Sequence, residues 1–262
     1  MNDALARTPA GPGRTLAALA LALGLVAVVL VAIGGPGTRF GWWQFRTGFT
    51  LMKYGAYVGI AAMVVAVVAA AVARRGGRGA LVLAAFALVL GGAAFFLPWS
   101  WRRHARGVPP IHDITTDWVN PPELIASRSL RDTTQHMNSW MYEGERVAAQ
   151  QRKAYPDIRP VMLAMTPDEA YAAVLRTARD MGWQILTADA ANRRVEAMDE
   201  TKWYGFKDDV AIRVTPASGI AKVDIRSVSR IGGSDVGMNA ARIRKYVAKL
   251  KENYHDKVAE EQ

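Results

Sequence analysis

The stretch DDVAIRVTPASGIAKVDIRSVSR, Asp208 to Arg230, decides the fold of the C-terminal part of this 262-residue chain. Apolar and polar residues alternate on either side of a break at Pro216 to Gly219, the pattern of two half-buried strands joined by a tight connection. A four-residue connection sets Val214 against Ala221, Ile212 against Val223 and Val210 against Ile225, all on one side. The other side then pairs Asp209 with Arg226 and places Arg213 diagonal to Asp224. One register satisfies both faces, so the sequence predicts an antiparallel hairpin with a single apolar face. Asp208 and Asp209, being adjacent in a strand, point to opposite faces and cannot form a carboxylate dyad.

Upstream, Trp183 to Thr187 and Arg194 to Thr201 read as a first pair of strands. They follow TPDEAYAAVLRTARDMGW, where Thr166 is placed as N-cap, Pro167 at the first helical position, Glu169 closing a capping box and Gly182 as the C-terminal glycine. Tyr171, Val174, Leu175, Ala178 and Met181 form the buried stripe of that helix. Downstream, a last helix is predicted from near Ser234, with Val236, Ala240, Ile243, Val247, Leu250 and Tyr254 buried and Asn239, Arg242, Lys245 and Lys249 facing elsewhere. Two amphipathic helices on an antiparallel sheet with one apolar face imply an α+β two-layer sandwich. The stretches from Val108 to Ser129 and from Ala154 to Leu163 are rich in proline and turn formers and read as extended chain lying over a surface. A polar helix is placed near Glu143 to Arg152.

The first hundred residues are of another kind. Thr15 to Gly35, Tyr54 to Ala73 and Gly79 to Trp101 are uncharged and apolar, and each is long enough to cross a bilayer as a helix. The chain is thus divided into a membrane region, residues 1–107, and a soluble domain, residues 108–262. The first segment is too long for a signal-peptide core and is read as a retained span. Between the first two segments, Trp42, Phe45 and Phe49 recur at helical spacing and argue for a short interfacial helix. Trp42, Trp43, Trp99 and Trp101 form an aromatic belt on the same membrane face.

The net charge of +10 invites a nucleic-acid reading until it is located. Residues 108–262 hold 22 basic and 22 acidic side chains, a net of zero, while residues 1–107 hold 11 basic side chains and one acid, Asp3. The excess therefore flanks the apolar segments, where it meets lipid headgroups, and no nucleic-acid partner is expected. With three spans, the N-terminal tail and the Arg74–Arg78 loop share one face with five basic residues against six on the other. The density of arginine in that loop places it in the cytoplasm and the C-terminal domain outside. No cysteine is present, which excludes disulfides, thiol nucleophiles and cysteine-ligated metals.

The segments IHDITTDWVNPP, AYPDIRP, WYGFKDDVAIRV and VDIRSVSRIGGSDVGMNAARIRKY together resemble the bacterial and plastid family catalogued as domain of unknown function 1499, over about Ile111 to Leu250. The resemblance implies the family's fold and a membrane-associated or exported setting. It implies no activity and brings no catalytic residue.

Two groups of residues carry the chemistry the sequence offers. Gly232, Gly233 and Ser234 precede a predicted helix start, with Arg226, Arg230 and Arg242 near them in sequence or register. Free backbone N–H groups and arginine forks suit a phosphate or carboxylate, so these six residues form a candidate anion site. The competing reading is an ion-pair network, since Asp208, Asp209, Asp224 and Asp235 can neutralise the arginines. His112, Asp113 and Asp117 are candidates for a metal, although loop His and Asp commonly cap turns; the expectation is no metal and no cofactor. Ser127, Ser129, Ser227, Ser229, Ser234, His136 and His255 show no nucleophile–base spacing, and catalytic residues are left unassigned.

The expectation is a multi-pass protein of the bacterial inner membrane whose extracytoplasmic domain acts, without catalysis, as a binding or accessory module on an envelope lipid or small anion. The alternatives are an enzyme of unassigned class using the Arg/Asp cluster, and a structural partner of another membrane protein, which would show an exposed apolar patch instead of a pocket.

Overall fold

A computed structural model describes residues 11–73, 77–131 and 137–258. Arg7, Arg74, Arg75 and His136 lie outside the described residues. The chain forms two compact units, the first comprising Met1–His104 and Trp203–Gly205 and the second Ala105–Lys202 and Phe206–Gln262.

The first unit consists of α1 (Pro12–Arg39), α2 (Phe45–Ala73) and α3 (Arg78–Arg106), three helices long and apolar enough to cross a membrane. Their buried residues recur at steps of three and four. Through Gly34 in α1 these are Gly13, Ala17, Ala20, Gly24, Ala27, Val31 and Gly34, from Gly55 in α2 Gly55, Gly59, Ala62, Ala66, Ala69 and Ala73, and in α3 Ala80, Ala84, Ala87, Gly91 and Ala94, while Gly35, Gly37 and Gly48 are buried outside this repeat. That spacing is a coiled-coil seam built from glycine and alanine, which lets backbones approach closely where lipid supplies no hydrophobic driving force. A Cβ added to Gly59 would lie 2.7 Å from the carbonyl oxygen of Gly91. Gly59→Leu is therefore expected to destabilise the bundle by about 1–3 kcal/mol as overpacking. Val64→Leu, at a position 59% exposed, is expected to be neutral. Denaturation of both variants in mixed micelles checks this.

The helices overrun the predicted spans. α1 continues through Gly34, Gly35 and Pro36, where the glycines allow close packing and Thr38 Oγ1 bonds the Gly34 carbonyl at 3.0 Å. The expected interfacial helix is instead the first turns of α2, where Phe45 and Phe49 meet edge to face with no break before Tyr54.

The second unit is an antiparallel sheet with helices on one face. Its elements are β1 (Asp113–Thr115), α4 (Glu145–Ala154), β2 (Val161–Leu163), α5 (Pro167–Asp180), β3 (Gln184–Asp189), β4 (Arg194–Glu200), β5 (Lys207–Ala217), β6 (Ile220–Ser229) and α6 (Met238–Asn253). The strand order is β1-β6-β5-β4-β3, and β2 also pairs with β6. The α+β expectation holds, as do the four longer strands and the capping box in which Thr166 and Glu169 bond each other's backbone N–H. β1 and β2 are each three residues long and fall in stretches read only as extended.

The hairpin register differs by two residues from the expected one. Val214 faces Val223, Ile212 faces Ile225 and Val210 faces Ser227. The connection is only Ser218 and Gly219, both at positive φ, so the strands run two residues further than a four-residue loop allows. A shift of two keeps every side chain on its predicted face. Arg213 now lies directly opposite Asp224, and Asp209 faces Val228 in place of Arg226.

On the helix face Val195, Ala197, Val210, Ile212, Val214, Val223 and Ile225 pack under α5 and α6. Trp183 stacks on Tyr246 at 5.1 Å, and the Tyr246 hydroxyl donates to the Val174 carbonyl at 2.8 Å, tying the helices together. The other face is covered too. The chain from Thr116 to Leu130, with a short 3₁₀ turn at Ala126–Leu130, lies across it as a strap and buries Leu124 against Ala211 and Val228.

Candidate functional site

The chemistry-bearing residues fall into two groups on opposite faces of the β5–β6 hairpin, because alternation sends Asp208 one way and Asp209 the other. On the strap face Asp209 is fully buried and accepts from both Arg131 (2.8 Å) and Arg230 (2.7 Å). Burial lowers the Arg131 pKa, and the neighbouring Arg230 and Arg226 add to that. Arg226 grips both oxygens of Asp113 at 3.0 and 2.7 Å and donates to the carbonyls of Pro122 and Trp140. Glu196, also buried, accepts the backbone N–H groups of Ile125, Ala126 and Ser127 at 2.7 to 3.1 Å, so one carboxylate caps the turn of the strap. Nearer the hairpin turn, Arg213 and Lys222 share Asp224 and Asp117.

On the helix face Arg242 donates to Asp199 (2.7 Å), Asp208 (2.5 Å), the Asn239 amide oxygen and Ser227 Oγ. Asn239 in turn donates to the His112 carbonyl and to Ser229 Oγ. Both Asn239 and Arg242 are buried here, whereas the periodicity turned them away from the core. Opposite them the sheet offers Asp199, Asp208, Ser227 and Ser229, so a polar side chain is the complementary partner. Tyr246, outside the predicted stripe, is buried as well.

The expected anion-binding residues lie as follows. Helix α6 starts at Met238, four residues later than expected, and the carboxylate at its N-terminus belongs to the chain: Asp235 accepts from the N–H of Gly237 and Asn239, each at 2.8 Å. Burial raises the Asp235 pKa. Gly232 sits at φ 90° with its carbonyl bonded to Asn138, Gly233 is exposed, and the Ser234 hydroxyl accepts from Val236 N–H. Arg226 faces Asp113, Arg230 faces Asp209, and Arg242 faces both Asp199 and Asp208. His112, Asp113 and Asp117 do not converge: His112 Nε2 stands 3.8 Å from Glu143, Asp113 is held by Arg226, and Asp117 caps the Val119 and Asn120 N–H groups while pairing with Lys222. Among the described residues no group of three or more metal-ligating side chains is close enough to hold a metal.

Arg131, Asn138 and Glu196 join these networks without any sequence signal of their own. Glu196 alternates with Val195 and Ala197 and so reads as solvent-facing until the strap is in place.

Half-buried His112 gives the domain a pH dependence. Burial lowers its pKa below 6.5, against the opposing pull of Asp113, Gly233 and Asp235. The unfolded chain then binds the proton more readily, so this stabilisation is complete above pH 6.5 and is lost as pH falls through the folded value. Asp235, with a raised pKa, works in the opposite sense, losing its contribution as pH rises. His112→Gln is expected to flatten the fall in melting temperature on going from neutral to mildly acidic pH, measured by thermal melts of the full-length protein.

Residues 113–250 match the family model described as "Protein of unknown function (DUF1499)". The chain belongs to this family. No curated protein matches the sequence. The matched residues run from β1 to the last turn of α6, so the DUF1499 region contains the sheet, the strap and both charge networks.

Proposed function

We propose that this DUF1499 protein is a multi-pass protein of the bacterial inner membrane whose extracytoplasmic domain is a non-catalytic binding or accessory module acting on an envelope component. One observation carries this reading. The domain's buried arginines are each paired with a buried aspartate, and buried Glu196 and Asp235 accept backbone N–H groups. Among the described residues of the second unit, four of the five exposed large apolar side chains fall between Val119 and Met141: Val119 is 96% exposed, Met141 59%, Ile125 50% and Leu130 46%, with Met238 at 45% elsewhere. Exposed apolar groups gathered on one segment favour an apolar contact over a charged one. An anion entering at Arg226, Arg230 or Arg242 has to displace an aspartate, so a lipid suits the surface better than a small anion. The same segment favours a second reading, a structural partner of another membrane protein.

The absence of cysteine makes the test direct. Val119→Cys and Met141→Cys, labelled with a photo-reactive benzophenone and irradiated in native membranes, are expected to crosslink to lipid or to one stoichiometric membrane protein. Lipid adducts support the first reading and a protein adduct the second. No adduct at either position, or turnover of ester, phosphoester or glycoside substrates by the full-length protein, contradicts both.

A further inference from the structure

From Gly11 to Gly107 the sequence contains no Asp or Glu, so the cations of the three helices have no carboxylate among those helices. Its aromatic residues are distributed unevenly. Phe40, Trp42, Trp43, Phe45, Phe49, Tyr54 and Tyr57 lie at the α1–α2 end, Phe95, Phe96, Trp99 and Trp101 lie towards the C-terminus of α3, and only Phe86 lies elsewhere. Because α1, α2 and α3 run alternately up and down, the C-terminus of α1, the N-terminus of α2 and the C-terminus of α3 share one end of the bundle. Aromatic belts usually form at both interfaces, and here there is one.

Cations stand among these rings. Arg46 and Lys53 are exposed on α2 and two helical turns apart on one face, each within 6 Å of an aromatic centroid, Arg46 at 5.9 Å from Phe45 and Lys53 at 5.3 Å from Tyr54. On α3, exposed Arg102 and Arg103 follow Trp99 by three and four residues, and Arg103 lies 5.5 Å from the Trp99 ring. Lys53 precedes the apolar run of α2, and Arg102 and Arg103 follow that of α3. The helices therefore carry their cations just past the hydrocarbon, at headgroup depth.

We infer that this end of the bundle is a binding collar for anionic phospholipids, with Arg46, Lys53, Arg102 and Arg103 receiving the phosphate groups and Trp42, Trp99 and Trp101 seated among the glycerol backbones. The occupant follows from charge: four cations without an internal counter-ion, at an interface whose only abundant anions are lipid phosphates. The inference rests on reading the three helices as membrane spans, and it is independent of what the strap binds.

The test reconstitutes the full-length protein in nanodiscs of equimolar phosphatidylcholine and phosphatidylglycerol and measures, by native mass spectrometry, which lipids remain bound on release. Wild type is expected to retain phosphatidylglycerol preferentially. The variant R46Q/K53Q/R102Q/R103Q is expected to lose the preference, with apparent affinity falling up to about fivefold per cation removed. The pair R14Q/R78Q, at the opposite end, is expected to keep it. No preference in wild type, or an equal loss in both variants, overturns the collar. Alkaline extraction of wild-type membranes tests the foundation separately: release of the protein by carbonate contradicts the spans, whereas retention without lipid preference contradicts the collar alone.

Discussion

Replacing Asp209 with alanine is expected to destabilise the C-terminal domain of the full-length protein strongly. Asp209 is the shared counter-ion of Arg131 and Arg230, whose side chains are 3% and 9% exposed. Removing it leaves two guanidinium groups buried together with no carboxylate between them. Breaking one buried pair in this way costs about 3–5 kcal/mol, a large part of the roughly 5–15 kcal/mol that holds a domain folded. A single cysteine at buried Ala173 makes the change measurable, because the chain has no other thiol. Relative to that parent, Asp209→Ala is expected to raise the thiol-labelling rate at least a hundredfold, following from about 3 kcal/mol at 1.4 kcal/mol per decade. Adding Arg131→Met and Arg230→Met is expected to restore slow labelling, since an apolar trio of similar volume removes the uncompensated charge. Slow labelling in Asp209→Ala alone would show that the pair contributes little.

Arg226 is the second position of large effect. Its guanidinium joins Asp113 on β1, the Pro122 carbonyl on the strap and the Trp140 carbonyl beyond it, while the residue itself is 2% exposed. Three chain segments thus depend on one planar fork. Arg226→Ala strands a buried carboxylate and two carbonyls and is expected to cost about 3–5 kcal/mol. Lysine is not a substitute, because a single ammonium cannot reach both Asp113 oxygens and two carbonyls in diverging directions. Hydrogen exchange read by mass spectrometry is expected to show fast exchange confined to β1 and the strap in Arg226→Lys, and throughout the sheet in Arg226→Ala. Wild-type protection in Arg226→Lys would mean that charge alone, without the fork, holds these segments.

The elements with strong periodicity or cap chemistry were legible in the sequence. Thr166, Pro167 and Glu169 mark the start of α5 by chemistry that acts within four residues, and alternation across Asp208 to Arg230 places each side chain on its face. What was not legible depends on contacts distant along the chain. The two-residue shift of the hairpin follows from Ser218 accepting a positive φ of 46°, which composition does not announce. Asn239 and Arg242 look like surface residues of an amphipathic helix until the ends of β4, β5 and β6 place Asp199, Asp208 and Ser227 opposite them. Asp235, four residues ahead of Asn239, occupies the helix N-terminus that Ser234 was expected to begin. The Gly/Ala seam of the membrane helices was present at steps of three and four, but uniform apolarity hides which face is buried. For the candidate anion site the proximity of arginines and glycines was readable, and their pairing was not, because Asp113, Asp199 and Asp209 reach them only through the sheet.

The proposed function puts three helices across a membrane and the DUF1499 domain outside the cytoplasm. The most direct measurement is a pair of reporter fusions following Gln262, alkaline phosphatase, active only outside the cytoplasm, and green fluorescent protein, fluorescent only inside it. The account predicts phosphatase activity without fluorescence. Fluorescence without phosphatase activity would contradict it and place the strap and its apolar residues in the cytoplasm.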